Sequence, residues 1–137
     1  MRLYLDSNAI VFSVEGPESL RDEVATWLDR VEAESDGAIL TSRLSRLECF
    51  TQPLREKNAP AFEAMDGFFS GGGIEVLGVD DDLVDAATDL QQEFALKAVD
   101  ALHVATAVRA RADVFLTRDA GIARYPFIRG VRTQRIG

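Results

Sequence analysis

The sequence predicts an α/β protein with a mainly parallel sheet of four to five strands, and three observations lead there. Short runs of bulky apolar residues alternate with segments of helical periodicity, the arrangement that returns successive strands to one sheet in parallel. The chain has 137 residues, 47% of them hydrophobic, which suits one core and a single domain over residues 1–137. Acidic residues also stand directly after strand-like runs, where the crevice of an open α/β sheet receives ligands.

Residues 2–5, Arg-Leu-Tyr-Leu, read as the first strand, with Asp6-Ser-Asn following at once. Residues 17–34 read as an amphipathic helix: Leu20, Val24, Trp27, Leu28 and Val31 recur at helical spacing, Pro17 suits a first turn and Asp36-Gly37 ends the element. Residues 38–41 form a second strand, and Ser42 caps a helix to about Arg55 with Leu44, Leu47 and Phe50 turned inward and Pro53 bending or shortening it. Residues 58–70 make a further helix loaded with Phe62, Met65, Phe68 and Phe69. After Gly71-Gly72-Gly73 comes a strand at 74–77. Asp80, Asp81 and Asp82 open a helix to about Phe94 with Leu83, Val84, Ala87 and Leu90 inward; capping explains the three acids, since adjacent helical residues point different ways. From Asp100 to Ala110 only His103, Thr106 and Arg109 break an apolar run, so this helix is expected to be buried. Residues 114–117 are the fourth strand and 131–136 a short terminal one.

Composition narrows the function. No apolar run approaches the ~18 residues of a membrane span, and the first residues lack the apolar core of a signal peptide, so a cytoplasmic protein is expected. One cysteine and one histidine leave no disulfide and no soft-ligand metal site. The net charge of −8 argues against indiscriminate nucleic-acid binding. It is unevenly spread: residues 109–137 hold seven arginines against Asp113 and Asp119, a surplus of five positive charges that leaves −13 on the rest. A basic tail of this kind suits phosphate contacts or is simply a solvated surface.

Four acids are candidates for chemistry. Asp6 and Asp119 follow the first and fourth strands, which in a parallel sheet put them at one edge; Asp6 also reads as a helix cap. Asp100 begins the buried helix, where a carboxylate is costly unless a cation neutralises it. Glu48 sits at the margin of an apolar stripe, the usual place of a snorkelling surface residue. Together the four would repel one another, and Mg²⁺ or Mn²⁺, which prefer carboxylate oxygens, would relieve that repulsion. His103, one turn from Asp100, could donate to a carboxylate, but a lone histidine on a buried helix reads more simply as a satisfied core residue and is left out of the catalytic set. A phosphatase with Asp-x-Asp after its first strand is excluded by Asn8, and a receiver domain by the lack of any lysine after Lys97.

These motifs carry a resemblance. Asp6-Ser7-Asn8 after an N-terminal strand, Glu48 on a helix, Asp100-Ala-Leu-His-Val-Ala-Thr-Ala and Leu-Thr-Arg-Asp119 resemble the acidic motifs of the PIN domain, and the chain is similar in length and element order to VapC toxins of toxin–antitoxin pairs. In those relatives one more residue often precedes the acid matched here by Asp119. The resemblance implies a three-layer α/β/α sandwich and a Mg²⁺- or Mn²⁺-dependent endoribonuclease. Asp6, Glu48, Asp100 and Asp119 would be its catalytic and metal-binding acids, with Asn8 and Thr117 orienting them. Arg118 and Arg124 would contact the RNA backbone. It further implies a homodimer neutralised by a small antitoxin protein. The competing expectation, motivated by the acidic body, is a PIN-fold module that binds RNA or protein without turnover.

Overall fold

The structure, a computed structural model, describes all 137 residues. Seven helices and six strands follow one another as β1 (Arg2–Leu5), α1 (Ser7–Glu15), α2 (Glu18–Glu32), β2 (Ala38–Ser42), α3 (Arg43–Arg55), α4 (Ala59–Ser70), β3 (Glu75–Leu77), α5 (Asp81–Glu93), α6 (Ala98–Arg109), β4 (Val114–Thr117), α7 (Ala120–Ala123), β5 (Phe127–Ile128) and β6 (Val131–Arg135). One six-stranded sheet has the order β3-β2-β1-β4-β6-β5. All its pairings are parallel except β5 with β6. This is the expected α/β architecture with one strand more than expected. Ile128 and Val131 pair across Arg129-Gly130, both with positive φ (50° and 86°), a two-residue hairpin turn whose twist matches that of the strands it joins.

Side chains on successive strand residues point to opposite faces, and the sheet divides the interior accordingly. Tyr4, Leu40 and Phe115 meet α5 and α6 on one face, with Leu83, Leu90 and Val104 in that cluster. Leu3, Leu5, Ile39, Val114 and Leu116 meet the other layer, where Ile10, Val24, Phe50, Met65 and Phe69 come from α1 to α4. The result is a three-layer α/β/α sandwich, and no helix is long and apolar enough to cross a membrane.

Two inward assignments are corrected. On α3 the buried face is Ser45, Cys49, Phe50 and Pro53, and Leu47 is 66% exposed. Phe50 belongs both to the stripe through Leu44 and Leu47 and to one through Ser45 and Cys49, and the helix is rotated to bury the second, with a serine in it satisfied by Thr41 at 2.7 Å. Val84 is likewise 47% exposed, because Leu83, Ala87 and Leu90 already fill the contact of α5 with its neighbours. The helix runs on two residues past Pro53.

Candidate active site

The chain order supplies the location. From β1 the chain proceeds through β2 and β3 to one side, and then α6 brings it to β4 on the other side of β1. The strand order therefore reverses between β1 and β4, and the crevice beyond their carboxyl ends is where such sheets bind ligands. Asp6 follows β1 and Asp119 follows Thr117, the last residue of β4.

Asp6 is held in place by its neighbours. It caps α1, with Oδ1 accepting from the Ser7 amide at 2.9 Å, so the capping and site readings describe the same residue. Its Oδ2 accepts from the Thr117 hydroxyl at 2.8 Å and from Asn8 Nδ2 at 3.3 Å. The carboxyl group is nearly inaccessible, and that burial raises its pKa despite the opposing pull of His103, Thr117 and the Ser7 amide. Thr117 also accepts from the Asp119 amide at 3.0 Å, and Asn8 Oδ1 accepts from the Arg118 amide at 2.8 Å. Asn8 and Thr117 thus tie the end of β4 to the start of α1, with Asp6 between them.

Asp100 lies in the first turn of α6, half-buried, within reach of the charges of Asp6, Asp119 and Glu48. Burial, then the charges of Asp6 and Asp119, push its pKa from 3.8 up to about 6. Asp119 caps the short α7 through a 2.7 Å bond from the Gly121 amide. A β-carbon at Gly121 would come within 3.0 Å of Asp119 Oδ1, so glycine leaves that carboxylate its room.

Glu48 enters from α3. Its Oε1 lies 2.5 Å from His103 Nε2, while His103 Nδ1 lies 2.7 Å from the Tyr4 hydroxyl. His103 is fully buried, and its Nε2 stands 3.9 Å from Asp6 Oδ1. Burial alone would lower the imidazole pKa; the hydrogen bond to Glu48 and the charges of Asp6 and Glu48 outweigh it, and the ring sits above its ordinary 6.5. Sequence reasoning placed His103 in the core with a carboxylate within reach; it is a satisfied core residue, and the carboxylate it meets is that of Glu48 on α3. The available signal was that a buried imidazole needs partners, with Tyr4 the other buried aromatic bearing a polar tip.

Asp6, Glu48, Asp100 and Asp119 are therefore electrostatic neighbours, although no three metal-ligating side chains converge closely enough to enclose an ion as they stand. Arg118 and Arg124 are partly engaged within the chain. Arg118 Nη1 donates to the Ile136 carbonyl at 2.8 Å, and Arg124 Nη2 donates to the Ala95 carbonyl at 3.1 Å and to the Tyr125 hydroxyl at 2.9 Å.

Comparison with solved structures finds the same fold over the whole chain. A chain of VapBC2 from Rickettsia felis, bound to a DNA fragment from its promoter, superposes with a TM-score of 0.74 at 16% identity, covering 100% of both chains. A toxin–antitoxin complex from Klebsiella pneumoniae gives 0.68 at 20% identity, covering 98% of this chain and 99% of that one. VapC20 of Mycobacterium tuberculosis, a sarcin–ricin loop cleaving toxin, gives 0.69 at 18%, covering 95% and 98%. No curated protein matches significantly in sequence. The PIN domain family model matches residues 3–128, which takes in most of β1 and all of α3, α6 and β4 with all four acids, and the chain belongs to the PIN domain family.

Proposed function

We propose that this chain is a Mg²⁺- or Mn²⁺-dependent endoribonuclease, the toxin of a VapBC-type toxin–antitoxin pair. One observation carries the reading: Asp6, Asp100 and Asp119 lie near one another at the switch point of the sheet, so that the charges of Asp6 and Asp119 add to burial in lifting Asp100 to about 6. A structural protein gains nothing from such repulsion, whereas a divalent cation would relieve it.

The donor set suits a hard ion, being carboxylate oxygen throughout. Asp6, held by three hydrogen bonds, would be the fixed ligand, with Asp100, Asp119 and Glu48 completing the set. A bound ion supplies Lewis-acid neutralisation of the scissile phosphodiester and activation of the attacking water. The chain's part is to hold the acids. Thr117 and Asn8 orient Asp6, the α7 cap orients Asp119, and the apolar packing of α6 limits water behind Asp100. Arg118 and Arg124 each retain guanidinium N–H groups beyond those already bonded, and these are proposed to meet RNA phosphates.

An antitoxin partner is supported by a groove of about 560 Å³ lined by Arg43, Leu44, Leu47, Phe50, Leu54 and Phe62. Leu47 and Leu54 are 66% and 61% exposed there, the kind of apolar surface that partners cover. A homodimer is proposed with it, read out as twice the chain mass in light scattering. Purified protein is expected to cleave RNA with Mg²⁺ or Mn²⁺, to stop in chelator, and to be inactive as Asp100→Asn. Induced expression should arrest growth, and Asp6→Asn should abolish the arrest. RNA retained without cleavage under any divalent ion would instead favour a binding module, which the acidic surface of residues 1–108 makes the alternative.

A further inference from the structure

Glu48 differs from the other acids in how it is held. Asp6 and Asp119 take hydrogen bonds from backbone amides of the elements they begin, but the Glu48 carboxylate, on the open side of α3, is held by His103 alone. His103 is held in turn by Tyr4, whose ring stacks on Phe115 at 5.0 Å in the centre of the sheet. A ring so fixed has few orientations. If the Tyr4 hydroxyl donates to Nδ1, Nε2 carries the proton and donates to Glu48, so one tautomer satisfies both contacts. A longer acid on a helix face otherwise samples several rotamers, and this buried pair restricts them.

We infer that His103, anchored by Tyr4, is a positioning residue that aims the Glu48 carboxylate into the Asp6–Asp100 cleft and so sets divalent-ion affinity. This rests on the metal-site reading above and adds a residue outside the acidic set. His103 would touch neither ion nor RNA.

Two substitutions separate positioning from packing, because the Gln amide nitrogen reaches the place of Nε2 and the Asn amide nitrogen that of Nδ1. Both leave a smaller side chain in the same buried space. His103→Gln should bind Mn²⁺, titrated calorimetrically, within about threefold of wild type. His103→Asn should bind about tenfold more weakly, the usual scale for groups that orient ligands. Adding Glu48→Ala to His103→Asn should weaken binding by less than Glu48→Ala does in the wild type, since the histidine acts through that carboxylate. The two His103 variants binding alike, or an additive double variant, would overturn the inference. Asp6→Asn and Asp100→Asn run alongside: if these lose Mn²⁺ while the His103 pair shows no difference, the metal site stands and the positioning role falls. If they too bind normally, the metal reading itself fails. A readout free of folding defects uses the unaltered chain, whose only histidine is His103. Its ¹⁵N spectrum in alkaline buffer should show the Nε2–H tautomer, and the Nδ1–H tautomer would refute the proposed orientation.

Discussion

Replacing Asp100 by Asn should abolish activity and yet stabilise the metal-free fold. Burial and the charges of Asp6 and Asp119 raise the Asp100 pKa from 3.8 to about 6, so the folded state holds this proton more tightly than the unfolded chain does. The ionised carboxylate therefore destabilises the fold. That penalty is absent below the ordinary carboxylate pKa, grows as pH rises toward 6, and is complete above it. A shift of about two units corresponds to roughly 3 kcal/mol. Asp100 is only half-buried, so solvent screening reduces this to about 1.5 kcal/mol. Losing a negative charge from the first turn of α6 removes about 0.5 kcal/mol of macrodipole stabilisation, leaving a net gain near 1 kcal/mol. For a chain of this length that is a rise in Tm of about 3–5 °C. Thermal unfolding in chelator should show the rise at about pH 7.5 and lose it toward about pH 4, as the wild-type carboxylate becomes protonated. Saturating Mn²⁺ should reverse the ranking, because only the wild type then gains from binding. A variant no more stable than wild type in chelator at neutral pH, or a gain that does not change with pH, would refute the account of Asp100 as a repelled, ion-seeking carboxylate.

Three further outcomes follow from the same geometry. Thr117→Val removes the donor to Asp6 Oδ2 and the acceptor of the Asp119 amide; it should lower unfolding free energy by about 1–3 kcal/mol and kcat by about tenfold or more, measured by denaturant titration and RNA cleavage. Burial pushes the Cys49 thiol up to about 12, so it should resist thiol reagents in the native protein at mildly alkaline pH and react at once in denaturant; rapid labelling of the folded chain would contradict its place under α1. Leu47→Ser with Leu54→Ser should change stability by no more than about 0.5 kcal/mol, since both side chains are exposed, while preventing co-purification with the antitoxin proposed above when the two are co-expressed.

Legibility in the sequence followed the length and regularity of each signal. The run Val114-Phe115-Leu116-Thr117 is a strand with the expected ends, because a short bulky apolar stretch between turn residues has few alternatives. The hairpin strand β5 was not legible: it is two residues long, and its turn places Arg129 where Asn, Asp or Gly is the usual sign of positive φ. Leu47 shows a different limit. Periodicity reports that a helix has an apolar stripe, but on α3 two overlapping stripes compete, and the choice was made by neighbours distant in sequence. A serine buried beside Thr41 outranked a leucine, which stands in the solvent-facing groove instead.

The same distinction governs the site. That Asp6 and Asp119 share an edge follows from parallel strands alone, since both end at the same side of the sheet. That Asp100 joins them requires α6 to start at that edge, which sequence allowed without compelling; in the structure its carboxyl is half-buried and lies near enough to Asp6 and Asp119 to feel their charges. Glu48 was hard to place from sequence, because nothing near it in the chain holds its carboxylate. Its only hydrogen-bonding partner within the chain is His103, 55 residues away, and that residue's own anchor is 99 residues distant. The local acids could be read from strand ends and helix starts, whereas the Tyr4–His103–Glu48 chain exists only once β1, α3 and α6 have packed together. An acid whose orientation depends on long-range packing will respond to substitutions deep in the sheet, at Tyr4 or Phe115, that touch none of the four carboxylates.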